Sequence, residues 1–197
     1  MPRVSRDQAE ANRLRVTRTA AKLYRASGLE RTSVADIMES ADMTIGAFHR
    51  QFGSKEALAT EACRHAFAEI CLHWQQRIHR DGATQAFARL TADYLSTRHR
   101  DGSGEGCAAA ALAGDIAHQP AHSPLRKAFI AGVQHFAAIM GEILPAALSP
   151  KKRRRRALAV YATLVGAVTI ARATKGDAIS EEVLEAATDA VKLLRDN

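Results

Sequence analysis

An all-α fold is what this 197-residue chain predicts, on three observations. Apolar residues recur at helical spacing along most of its length, and no stretch alternates with the period of a half-buried strand. Alanine is abundant while aromatic residues make up only 5% of the chain, a composition that suits helices. Gly and Pro are few, 12 and 5, and fall between the periodic segments as punctuation. With 47% hydrophobic and 25% charged residues, the chain can build a core, which excludes intrinsic disorder.

The elements follow in order. Segment 8–27 sets Val16, Ala20, Leu23 and Tyr24 on one face, and Gly28 supplies a left-handed stop. Ser33 and Asp36 form a capping box for a short helix reaching about Ala41. Asp42-Met43 is a turn, and Thr44 caps a second short helix over 45–51. Gly53 ends that helix and Ser54 caps a long one over 55–80. A further helix spans 83–98, followed by a polar loop, 100–106, and an Ala-rich helix, 107–117. Residues 118–124 turn, and Pro145 kinks or ends a helix running from 125 to 147. Segment 157–173 is apolar on nearly every face, and 180–195 carries one apolar stripe.

Charge is concentrated. The chain carries +7 overall, yet residues 1–25 hold seven basic residues, Arg3 among them, against two acids. The run Lys151-Lys-Arg-Arg-Arg-Arg156 adds six more positive charges, so the rest of the chain is mildly acidic. A basic start suits a polyanion, because neutralised phosphates release counterions. The run 151–156 reads as a loop or a first helical turn, where cations oppose the helix dipole. Cys63, Cys71 and Cys107 are odd in number and lack close CxxC spacing, against a disulfide framework or zinc knuckle and for a reducing compartment. The first fifteen residues contain no apolar signal core, so a cytoplasmic location is expected. No constellation points to catalysis, a metal or a cofactor. His118 and His122 are spaced for metal, but Pro120 breaks the helix they would need, and Ser103 lacks the nucleophile-elbow pattern.

Two short helices joined by a tight turn, after a longer first helix, form a helix-turn-helix candidate. They are too short to persist alone, so Val34, Ile37, Ala41, Phe48 and Phe52 must pack on the first helix. The stretch from Leu23 to Leu58 resembles the N-terminal DNA-binding region of the TetR/AcrR family. The resemblance is carried by Gly28, Thr32-Ser33-Val34, Ile37, Ala41, Thr44, Gly46, Phe52 and Gly53 through Leu58. It covers about a quarter of the chain; residues 104–117 are more weakly similar to a stretch in some members.

The resemblance implies a DNA-binding domain over 1–54 and a helical ligand-sensing and dimerisation domain over 55–197. It implies phosphate contacts from Thr32 and Ser33, and a recognition helix opened by Thr44, Ile45, Gly46 and Ala47. Lys55 would hold a phosphate together with its helix N-terminus. His49 stands where the family usually has Tyr, and Ile45 where it often has a polar residue; neither departure lets the base preference be read. The function implied is that of a ligand-responsive repressor, a homodimer on a palindromic double-stranded operator, released by a small molecule of unidentified structure. Candidate ligand contacts are His65, Trp74, Phe87, Tyr94, Cys107, His118 and Phe136, with plain core packing as the alternative for each. The loop 100–106 and helix 107–117 are the elements a ligand would displace, and helix 55–80 the lever. Candidate dimer contacts are Tyr161, Val165, Val168, Val183, Ala187 and Val191. Cys107 opens a second route, redox or electrophile sensing by a thiol at a helix N-terminus. Seventeen apolar residues at 157–173 fall short of a membrane span, and no membrane partner is expected.

Overall fold

The computed structural model describes residues 5–196. Arg3 of the basic start lies outside the described residues. Among the described residues there are nine α-helices and one 3₁₀ turn, with no strand. The all-α expectation is met.

Helix α1 (Arg6–Ser27) begins where the Ser5 hydroxyl accepts from the Gln8 amide, and ends at Gly28. Gly28 has φ +86°, which favours glycine, but ψ 167° carries the chain away extended instead of in the expected left-handed helical turn. Helix α2 (Val34–Ser40) has both bonds of the Ser33–Asp36 capping box, at 3.1 and 2.9 Å. Asp42, at φ +52°, makes the turn to α3 (Ile45–Gln51). Ile37, Ala41, Phe48 and Phe52 bury against Val16, Ala20 and Tyr24, with Val34 half-buried beside them. Arg13 ties the three helices to the next. It bonds the Gln51 carbonyl and the Glu61 carboxylate, and lies 4.5 Å over the Phe52 ring.

Helix α4 (Lys55–Tyr94) is two helices joined at Gly82, whose φ of +78° breaks the path. The expected boundary between 80 and 83 is therefore met by a kink. Its second arm stops at Tyr94, short of residue 98, because Ser96 caps a new short helix, α5 (Thr97–Asp101). A 3₁₀ turn, Ser103–Glu105, then leads to α6 (Ala108–Ala117). Helix α7 (Pro124–Glu142) ends before Pro145, earlier than 147. Helices α8 (Pro150–Ala173) and α9 (Ile179–Asp196) close the chain.

The main packing pairs are α4 with α7 and α8 with α9, with α1 on α4 and α7 on α8. Gly132 sets the closest of these approaches. A Cβ there would lie 2.2 Å from Phe67.

Helix α8 departs from expectation at both ends. The basic run is its first turns, not a loop. Arg153 and Arg156 turn inward onto the Ala146 and Arg195 carbonyls, at 2.6 and 3.1 Å. Lys151, Lys152, Arg154 and Arg155 face solvent. Nor is α8 buried all round. Val160, Leu164, Val168 and Ala171 are fully buried on one side, while Leu158 is 39% and Ile170 51% exposed on the other. At 24 residues it is long and apolar enough to cross a membrane by length and composition; in the fold, its buried side packs on α5, α6, α7 and α9.

Candidate DNA-reading surface and effector cavity

The outward face of α3 carries Ile45, Gly46, His49 and Arg50, all exposed. Thr44 occupies the N-cap in an extended conformation, but its hydroxyl makes no capping bond. The hydroxyl and the first amides of α3 are thus free at the surface, donors at a helix N-terminus. A Cβ on Gly46 would meet protein only at Thr44 Oγ1, 4.0 Å away. Nothing inside the chain requires glycine there. Ala47 faces the core at 5% exposure, so its expected place among the opening contacts is corrected to packing.

Ser33 is exposed. Thr32 is not: at 3% exposure, its hydroxyl donates to the Gly28 carbonyl at 2.8 Å. The phosphate contact expected of that side chain is corrected to a structural bond. Lys55 is exposed at the first position of α4, beside the carboxyl of Asp36. That carboxyl is held below its usual range by hydrogen bonds from Ser33, with Lys55 adding to the effect. Arg50 is a further exposed residue of this face, one turn after Gly46, a spacing readable in the sequence.

The body contains a half-open cavity of about 540 Å³ between both arms of α4, α5 and the segment leading into α6. Trp74, Tyr94 and Cys107, three of the seven candidate ligand contacts, line it. Four other candidates do not, and each is corrected. His65 faces Glu69 at 3.1 Å, one turn along α4. Phe87 lies beneath the Arg195 guanidinium in a separate hollow of about 200 Å³. His118 is exposed at the end of α6. Phe136 is 1% exposed, its ring 4.9 Å from that of Tyr161. The cavity instead recruits His73, Arg77, Asp93, Arg98 and His99. The i, i+3, i+4, i+7 spacing of Ile70, His73, Trp74 and Arg77 puts them on one face of α4, a signal that was available in the sequence.

The chemistry around Cys107 is specific. Its amide donates to His99 Nε2 at 3.1 Å, and His99 Nδ1 lies 2.7 Å from the Tyr94 carbonyl. One nitrogen accepts and the other donates, so the ring is a neutral tautomer, and burial pushes its pKa down further. The Cys107 thiol lies 3.7 Å from the Tyr161 hydroxyl. The Tyr94 hydroxyl is buried without a hydrogen-bond partner, and burial raises its pKa well above the usual value. Among the described residues, no cluster of three potential metal ligands occurs.

The cavity wall is fastened to the DNA-reading head. Arg25 of α1, itself buried, donates to the Gly104 carbonyl at 2.8 Å. Lys22 pairs with Glu105 at 2.7 Å, and Asp115 of α6 accepts from the Leu29 amide at 2.7 Å. From the other side, Arg172 of α8 donates to the His99 and Arg100 carbonyls. The expected loop 100–106 is thus an ordered wall. A Cβ at Gly106 would come within 2.9 Å of Arg172 and His99, and one at Gly104 within 3.3 Å of Lys22. These glycines serve close packing, not looseness.

With helix-turn-helix, cap positions and basic surface in place, the sequence pattern of the bacterial regulatory proteins of the tetR family matches residues 16–62. That match covers about a quarter of the chain, the helix-turn-helix and the start of α4. Solved structures show the same fold throughout. A TetR regulator from Legionella pneumophila superposes with a TM-score of 0.78 at 16% identity, over 100% of both chains. E. coli NemR in its reduced form gives 0.77 at 19% identity, over 93% of this chain and 96% of that one. Bacillus subtilis FadR in complex with stearoyl-CoA gives 0.65 at 15%, over 93% and 97%. None of the curated proteins matches the chain in sequence. The N-terminal part of the chain is therefore a DNA-binding helix-turn-helix domain of the tetR kind.

Proposed function

We propose that the protein is a ligand-responsive repressor, binding a palindromic operator as a homodimer in the cytoplasm and released when a small molecule occupies the 540 Å³ cavity. The observation that carries this reading is the set of polar links from the cavity wall to α1. Gly102, Glu105, Gly106 and Cys107 line the cavity, and Arg25 at Gly104, Lys22 at Glu105 and the Leu29 amide at Asp115 hold the same segment or its continuation into α6. A guest that shifts the wall shifts α1, and with it the recognition helix. Operator affinity falls by the guest's differential affinity for the two arrangements. The bound stearoyl-CoA in FadR supports a small-molecule effector in a fold of this kind.

The head comprises residues 1–54 and the body 55–197, with α4 entering both, since Leu58, Ala59 and Ala62 pack in the head's core. Thr44, Ile45, Gly46 and His49 meet the major groove, while Ser33, Arg50 and Lys55 meet phosphates.

The dimer forms through α8 and α9, on the faces a single chain leaves uncovered. On α8 these are Leu158, Ala162, Val165, Thr169 and Ile170; on α9, Val183, Ala186, Ala190 and Leu193. Each set spans one mostly apolar stripe, suited to helix packing between two copies. Of the expected contacts, Val165 and Val183 remain. Tyr161, Val168, Ala187 and Val191 are corrected to core positions, each 8% exposed or less within one chain.

A second reading has one observation of its own: the Cys107 thiol lies in the cavity wall at the N-cap of α6, where a reactive compound entering the cavity would meet it. Cys107→Ser separates the two. If an oxidant still releases the variant from DNA, the thiol route is dismissed.

The test of the main reading is sedimentation and anisotropy with a duplex selected by the purified protein. Two copies per duplex are expected, and Lys55→Ala should flatten the log-affinity against log-salt slope by about one for each copy bound. A lone copy indifferent to every duplex at low salt would overturn it.

A further inference from the structure

We propose that the cavity takes an aromatic compound ending in a single carboxylate, its ring seated against Trp74 and its carboxylate at the mouth, paired with the Arg98 guanidinium. This rests on the reading of the cavity as the effector site, and names the charge and shape that site selects.

Three observations point to it. The first is an unspent cation. Three successive basic residues stand on α5, and two of them are committed. Arg100 is bonded to Asp101, Ser180 and Glu181, and His99 is fixed between the Tyr94 carbonyl and the Cys107 amide. Arg98 lines the cavity and is exposed, and among the described residues its side chain has neither an ion pair nor a hydrogen bond. The carboxylates of the wall are used elsewhere. Glu105 pairs with Lys22 at 2.7 Å, and Asp93 lies 3.8 Å from Arg77. One positive charge is left over at the cavity.

The second is what stands behind the wall. Buried Arg25 donates to the Gly104 carbonyl, and half-buried Arg172 to the His99 and Arg100 carbonyls. Among the described residues neither makes an ion pair with a carboxylate; Glu69 and Glu105 act on Arg25 only at longer range. Carbonyl dipoles satisfy these donors without cancelling their charge. Arg172 lies directly behind Gly106, a residue of the cavity wall, where even a Cβ would come within 2.9 Å of it. The potential inside is therefore positive, and a guest anion offsets charge that the fold has taken out of water.

The third is a two-ended shape. Trp74, Tyr94 and Cys107 are buried and form an apolar floor, whereas Arg98 stands exposed at the rim. A guest with one charged end lays its body inward and keeps that end at the mouth, where it stays partly hydrated. There the planar guanidinium fork matches a carboxylate with two parallel hydrogen bonds. The aromatic floor favours a flat body, and a volume of about 540 Å³ accommodates two or three fused rings.

The experiment uses three probes on one ring system: 2-naphthoate, neutral 2-acetylnaphthalene and the cation 2-naphthylmethylammonium. Binding to the full-length protein is read by equilibrium dialysis. The carboxylate should bind about tenfold more tightly than the ketone, the ratio one charge-assisted contact supplies at a half-open mouth, and the cation more weakly than both. Arg98→Gln should weaken 2-naphthoate about tenfold and leave the ketone unchanged, erasing the preference; an unaltered melting temperature certifies the fold. Ketone or cation bound as tightly as the carboxylate, a preference that survives Arg98→Gln, a variant that loses ketone and carboxylate alike, or no binding of any probe would each overturn the assignment. Anisotropy on the selected duplex keeps the two readings apart. A carboxylate that binds with the Arg98 signature yet leaves operator affinity unchanged sinks the effector reading and sustains the site.

Discussion

The short helices of the head and the cavity wall of the body hold their polar groups in opposite ways. The short helices are set by bonds that close within one turn: Ser33 with Asp36, Ser54 with Ala57, Thr32 with Gly28. The wall and its supports are set by bonds that reach across the chain. Arg25 meets Gly104 across 79 positions, Arg172 meets His99 across 73, and Arg100 meets Ser180 and Glu181 across 80 and 81. The difference teaches where each part draws its order. Local caps fix the path of short helices that have little core of their own. Distant pairs fix how finished helices sit against each other, which is what a cavity wall needs.

The contrast can be broken at its strongest point first. Gly132→Ala forces a methyl into Phe67 and should cost about 2 kcal/mol or more, even after the gain in helix propensity. Urea unfolding should show this loss as one global transition. A midpoint at or above that of the parent would refute the close approach of α4 and α7. Arg25→Met comes next. It leaves the buried Gly104 carbonyl without its donor, a cost of about 1–3 kcal/mol. Hydrogen exchange should rise in both α1 and residues 102–107; a rise in α1 alone would mean that the link carries nothing between head and body. Ser33→Ala is smaller, about 1 kcal/mol, and should speed exchange in α2 only.

The smallest effect is that of acid. Hydrogen bonds from Ser33 depress the Asp36 pKa in the folded protein. Its contribution is therefore present above the ordinary carboxylate range and is lost as pH falls through the depressed value. Exchange in α2 should quicken on acidification ahead of the rest of the head, and Asp36→Asn should remove that dependence. An identical acid profile in the variant would assign the sensitivity to other carboxylates.

The same contrast explains what the sequence made legible. Capping box, turn and stop lie within a few residues of their partners, so α2, α3 and the start of α4 were placed almost to the residue. Helical periodicity located the body's helices, but not what lies between them. Residues 100–106 looked like a loose glycine loop because Arg25 and Arg172, which pin them, are distant in sequence. The candidates His65, Phe87, His118 and Phe136 were chosen by residue type, whereas lining a cavity depends on which face of a helix another helix leaves uncovered. Likewise Tyr161, Val168 and Val191 are apolar, as a dimer contact should be. Only the packing of α6, α7 and α9 reveals that their own chain already covers them. Thr32 fits the family's motif, and only the direction of its hydroxyl reveals that it bonds inward.

The break at Gly82 has a mechanical consequence. An unbroken helix of 40 residues would be a stiff rod about 60 Å long. Here it is an elbow. Trp74 and Arg77 stand on the forearm that runs to the head, and Asp93 and Tyr94 on the upper arm that stays with the body. A guest wedged between them would press on both limbs at once, and the joint would convert a small separation inside the molecule into a swing at the distant tip.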